Sequence, residues 1–96
     1  MTLLPSHAHY DGTIKYIKCQ VSNWDKPPNT CVVWNNSPIL NAGITEDGVF
    51  VELPMGAPGK EVTVSVYSGN IKYSQSAIFT YDGKIENSGK SREKVE

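Results

Sequence analysis

The chain has 96 residues, with 9 Lys+Arg against 10 Asp+Glu and a formal net charge of -1. That length fits one domain with a thin core, and the interspersed charges contain no polybasic run of the kind that grips nucleic acid or an anionic membrane. No apolar run reaches the length of a membrane-spanning helix, and the first residues lack a signal-peptide pattern.

Residues 1–11 read as an N-terminal segment, loose or laid along a sheet edge, because Pro5 limits regular pairing. His7, His9 and Asp11 alternate and would share one side of an extended segment. With no further committed ligand they make a weak cation site, and the segment is read as an exposed terminus without a metal. Gly12 to Trp24 is the first firm strand: Ile17, Cys19 and Val21 alternate with Lys18, Gln20 and Ser22, as in a half-buried antiparallel sheet. Asp25 to Asn29 holds two prolines between turn-forming residues and reads as a loop.

Thr30 to Trp34 is a short strand touched on both faces, with Trp34 as a core residue, and Asn35-Asn36-Ser37-Pro38 ends it in a polar turn. Ile39 to Ile44 reads as a weak strand or an irregular crossover. Thr45 to Gly48 is a turn, after which Val49, Val51 and Leu53 alternate with Phe50 and Glu52. Pro54 to Gly59 then turns into a hairpin. Its first strand carries Val62, Val64 and Val66 on one face, Ser68-Gly69-Asn70 makes the turn, and its second strand runs to Ala77, Phe79 and Tyr81. Residues 83–96 are charged and almost free of large apolar groups, and read as a disordered tail or linker.

No apolar series recurs at helical spacing. About six or seven short antiparallel strands separated by turn signals point to an all-β fold, a small β-sandwich over residues 12–82.

Cys19 and Cys31 are the only cysteines and have no metal-site spacing. Either they are two buried thiols on neighbouring strands or they form one disulfide of an exported domain. Asn35 heads an Asn-x-Ser glycosylation sequon, although Pro38 directly after the serine disfavours modification.

Leu53-Pro54-x-Gly56-x-Pro58-Gly59, followed by Val62-x-Val64-x-Val66, a Ser-Gly turn, Ser74 and Phe79-x-Tyr81, resembles the C-terminal half of an IPT/TIG domain. Upstream, Gly12-Thr13 and Ile17 through Asn23-Trp24 resemble that family's opening strand. Cys19 stands where the family often has glycine, and the family's opening Pro-x-Ile-x-x-Ile-x-Pro segment has no clear counterpart beyond Pro5. The resemblance implies an immunoglobulin-like sandwich in which the paired valines pack on Phe79 and Tyr81 across a core roughly 10 Å thick.

Catalysis needs a nucleophile, a base and an orienter, or paired carboxylates, in one cleft. Here both histidines sit near one end and the glycines occupy turns, so the reading is a protein that is not an enzyme and needs no cofactor. Binding is the remaining role. Alternation places Tyr16, Phe50, Tyr67 and Tyr73 outward, and Trp24 joins them from a loop, as candidate contact residues. Truncating Trp24 or Phe50 is expected to weaken binding without unfolding.

The resemblance implies an interaction module of a larger cell-surface or secreted receptor or adhesion protein, contacting a protein partner or neighbouring domains of the same chain. The alternatives are a carbohydrate-contacting accessory module of a polysaccharide-acting enzyme, or the dimerisation or DNA-contacting domain of a transcription factor. The absence of basic clusters argues against nucleic acid.

Overall fold

Alternation of apolar and polar residues sorts this chain into two sheets that share one core. The computed structural model describes residues 1–39 and 42–83. In chain order the strands are β1 (Thr2–Leu4), β2 (His7–Ala8), β3 (Tyr16–Gln20), β4 (Thr30–Trp34), β5 (Ser37–Ile39), β6 (Gly43–Ile44), β7 (Gly48–Glu52), β8 (Glu61–Ser68), β9 (Ile71–Lys72) and β10 (Ala77–Tyr81), with no helix among the described residues. Seven of these strands have three or more residues, and β2, β6 and β9 have two each. The fold is an all-β sandwich.

One sheet runs β1-β3-β7-β6 and the other β2-β10-β8-β4-β5, with β9 paired to β8. Every pair is antiparallel except β2 with β10, which is parallel. Ile17 and Cys19 face Val51 and Val49 across β3 and β7, while Val32 and Trp34 face Val66 and Val64 across β4 and β8. These inward sets, with Phe79 and Tyr81, form a single buried cluster. The valines suit this role because β-branched side chains pack well on a pleated surface.

Three details differ from the sequence reading. First, residues 1–11 do lie along sheet edges, one of the two readings, but as part of the sandwich: β1 pairs with β3 at one edge, the chain switches sheets at Pro5, and β2 pairs with β10 at the edge of the other, so Leu3 and Ala8 enter the core. Second, the strand expected from Gly12 to Trp24 is regular only from Tyr16 to Gln20. Gly12 lies in a turn at φ +89°, ahead of which Thr13 N–H donates to Asp11 Oδ1 at 2.9 Å. That bond holds the Asp11 carboxyl below its ordinary range. Third, the hairpin's second strand is broken. β9 pairs with β8 at Tyr67 and Ser68, β10 pairs with it at Glu61 to Val64, and a Ser65–Ser76 hydroxyl contact of 2.7 Å fills the gap.

The two tight hairpin turns follow from their residues. Asn35 and Asn36 both take positive φ, as a two-residue turn between β4 and β5 requires, and Gly69 does so alone between β8 and β9. The crossover expected near Ile39 to Ile44 resolves into the ends of β5 and β6, with residues 40–41 outside the description. The expected tail over residues 83–96 also lies, Gly83 apart, outside the described residues.

Candidate interaction surface

The outer face of the four-stranded sheet is built by residues that alternate with the core positions of β3 and β7. Tyr16 stands opposite Glu52, and Lys18 opposite Phe50. The Tyr16 and Phe50 rings meet edge to face, with centroids 5.6 Å apart and planes at 85°. Phe50 lies over Gly43 on the neighbouring strand: a Cβ there would come within 2.3 Å of the ring. A residue without a side chain on β6 therefore lets an aromatic ring settle on the sheet and still keep 38% of its surface exposed.

Tyr10, Leu53, Pro54 and Met55 complete an open groove of about 590 Å³ beside this pair. Tyr16 is 58% exposed and Met55 80%. Isolated exposed apolar residues are ordinary; here three exposed ones, Tyr16, Phe50 and Met55, line one groove. Alternation identifies Tyr16 and Phe50. It does not identify Tyr10 and Met55, which lie in a turn and a Pro/Gly segment where no periodicity exists.

Farther along the same face the chemistry becomes ionic. Lys18 Nζ lies 2.7 Å from Asp47 Oδ1, Gln20 Nε2 donates to Asp47 Oδ2 at 3.2 Å, and Thr45 Oγ1 donates to Asp47 Oδ1 at 3.1 Å. Lys18 foremost, and then Gln20, hold the Asp47 carboxyl down at about 2. Lys26 pairs with Glu46 nearby.

The other expected contact residues lie elsewhere. Trp24 is half-buried against the core and donates its indole N–H to Thr45 O at 3.1 Å. Its ring meets Tyr73 edge to face at 5.2 Å. The Tyr73 hydroxyl donates to Asp25 Oδ1 at 2.7 Å and lies 3.2 Å from Asn23 O. That bond to Asp25 raises the Tyr73 pKa. Trp24 and Tyr73 therefore tie the loop after β3 to the turn before β7 and to the segment after β9. Trp24→Ala is expected to lower unfolding free energy by about 1–2 kcal/mol, through a lost aromatic pair and an unsatisfied carbonyl. Urea denaturation followed by far-UV circular dichroism checks this.

Tyr67 belongs to the opposite sheet, half-buried opposite Cys31. Both cysteines are free thiols. Cys19 faces the core from β3, and burial pushes its thiol up to about 12, which keeps it protonated and inert. Cys31 alternates with buried Val32 and Trp34, so it points to the outer side of the other sheet. Opposite orientations on opposite sheets leave no route to a bond between them. Asn35 is exposed in its turn, with its backbone N–H donated to Thr63 O at 2.9 Å.

At the N-terminal end, His7 Nδ1 lies 2.7 Å from Asp82 Oδ2, which joins β2 to the residue after β10. Among the described residues no group of three His, Cys, Asp or Glu side chains is placed to share a metal ion, and His7, His9 and Asp11 do not converge. Nor is any helix among them long and apolar enough to cross a membrane. No protein-family model matches the chain, and no curated protein sequence does either.

Proposed function

We propose that the chain is a non-catalytic immunoglobulin-like interaction module of the IPT/TIG kind, part of a larger cell-surface or secreted receptor or adhesion protein. The observation that carries this reading is the outward Tyr16–Phe50 pair, seated on a rigid sheet face beside an open groove. Aromatic rings held on sheet strands need little ordering when a partner arrives, and that is what makes them contact anchors.

The topology supports the immunoglobulin-like part of the reading. Lettered in the immunoglobulin manner, β1-β3-β7-β6 corresponds to A-B-E-D, and β10-β8-β4 to G-F-C. Trp34 on β4 then stands where such sandwiches place a core tryptophan on strand C. Cys19 sits on strand B, with valines rather than a second cysteine on strand F. The Pro54–Gly59 turn packs on Tyr81, which joins two parts of the family-like pattern in one contact. An exposed Asn35 at a turn is compatible with an exported chain.

The carbohydrate alternative is weaker. A flat sugar platform needs rings in one plane, whereas Tyr16 and Phe50 stand at 85°.

Selection of a displayed random-peptide library on the immobilised domain tests the proposal. Clones enriched on the native protein should bind the Tyr16→Ser/Phe50→Ser variant at least about tenfold more weakly, the loss typical of truncated hot-spot rings. Enriched clones that bind both proteins equally would place the working surface elsewhere.

A further inference from the structure

The outer face of the six-stranded sheet differs in chemistry from that of the sheet behind it. Alternation with buried Val62, Val64 and Val66 turns Thr63, Ser65 and Tyr67 of β8 outward. Their partners in register continue the face: Ile78 beside Thr63, Val33 beside Ser65 and Cys31 beside Tyr67. All six are uncharged, and Ile78 keeps 51% of its surface exposed among them. The four-stranded sheet turns Lys18, Gln20 and Glu52 outward instead. Depletion of charge at the centre is what separates the core of a protein–protein contact from ordinary surface.

The charges of this face lie at its ends. Glu61 closes one end of β8, beside Thr80, and Lys72 stands beside Tyr67 near the other, about 20 Å away along the strand. Neither makes an ion pair among the described residues, whereas His7, next to Thr80, is already paired with Asp82.

That layout is self-complementary. Two copies packed face to face about a twofold axis running across the strands lay β8 antiparallel to β8, so Glu61 of each copy meets Lys72 of the other. A twofold axis along the strands would set Glu61 against Glu61 and Lys72 against Lys72, and like charges opposed across an interface disfavour it. The face over β10, β8, β4 and β5 is roughly 400 Å² in outline, so the association it supports is weak and depends on concentration.

We propose that this face docks on the same face of a second copy of the chain, with two Glu61–Lys72 ion pairs flanking a neutral centre. The Tyr16–Phe50 groove lies on the other sheet and stays uncovered in both copies, so the inference does not depend on it.

Sedimentation equilibrium at low salt between about 10 μM and 1 mM, the range of a weak complex, tests the proposal. A thiol reductant keeps Cys31 from bridging copies. The average mass should climb from that of one chain toward that of two. Over the same range the amide signals of Val33, Ser65, Tyr67 and Ile78 should shift, while those of Tyr16 and Phe50 stay. Glu61→Lys and Lys72→Glu should each raise the dissociation constant ~5-fold or more, since each reversal acts on two symmetric pairs worth ~2–5-fold apiece. The double reversal should restore the native value. Ile78→Lys sets two ammonium groups close to the axis and should weaken association at least about tenfold with the urea midpoint unchanged. A chain that stays monomeric at the highest concentration, association that shifts Tyr16 and Phe50 instead, or a double reversal no tighter than the single ones would overturn the proposal.

Discussion

Gly48→Ala is expected to destabilise the domain by about 3 kcal/mol, the upper end of what overpacking usually costs. Gly48 opens β7 opposite Gln20, and a Cβ there would lie 1.9 Å from the Cys19 carbonyl oxygen and 3.1 Å from Gln20 Cα. The obstacle is backbone of an interior strand, so no side-chain rotation relieves it. The turn before Gly48 has little freedom to move either: Thr45 N–H donates to Gly48 O at 2.8 Å and Val21 N–H to Asp47 O at 2.9 Å. A domain of this size should lose roughly 4–8 °C of melting temperature for each kcal/mol. Gly69→Ala is the useful contrast. Nothing lies within 4 Å of a Cβ there, so only the cost of φ +60° remains, about 1 kcal/mol. A Gly48→Ala variant that melts no lower than Gly69→Ala would show that β3 and β7 do not approach as described.

Tyr81 carries the second large effect. It is 1% exposed, and its hydroxyl donates to Pro54 O at 2.7 Å and accepts from Trp34 Nε1 at 3.2 Å. Its ring meets Phe79 edge to face at 5.2 Å and lies against Gly56, where a Cβ would come within 2.3 Å. One hydroxyl thus joins the Pro/Gly crossover to the core tryptophan. Tyr81→Phe keeps the ring and leaves a buried N–H and a carbonyl without their partner, at a cost of about 2–3 kcal/mol. Tyr81→Ala also opens a cavity and should cost about 4 kcal/mol. Urea denaturation midpoints of the two variants measure both. If Tyr81→Phe matched the native protein, the hydroxyl would have no structural part.

The bond network around Tyr81 shows what was readable beforehand and what was not. Val62, Val64 and Val66 alternate over a long strand, so their inward direction follows from period two alone, as does the outward direction of Tyr16 and Phe50. The turns were readable because asparagine pairs and glycine have few other uses at such positions. The N-terminal segment was not, since strands of two and three residues, β2 and β1, are too short to show a period. Leu3 and Ala8 acquire their burial from β3 and β10, far along the chain.

Trp24 misleads for a related reason. A tryptophan ahead of a Pro-rich loop reads as an exposed anchor. Its N–H finds Thr45 O, 21 positions away, and its ring finds Tyr73, and neither contact leaves a trace in local pattern. The Cys19–Cys31 question was likewise settled by direction. Parity was legible on β3, but Thr30 to Trp34 shows no clean alternation, and which way β4 faces depends on its pairing with β8. Tyr10 and Met55 join the groove through tertiary placement alone.

The claim at the centre of this account is that the Tyr16–Phe50 face works in recognition and contributes little to stability. The most direct measurement is a paired one on the Tyr16→Ser/Phe50→Ser variant: affinity for a library-selected ligand and the urea denaturation midpoint, from the same preparation. The account predicts an affinity loss of about tenfold or more with unfolding free energy changed by no more than about 1 kcal/mol, as expected of exposed positions. Retained affinity, or an affinity loss seen only where the variant has begun to unfold, would contradict it.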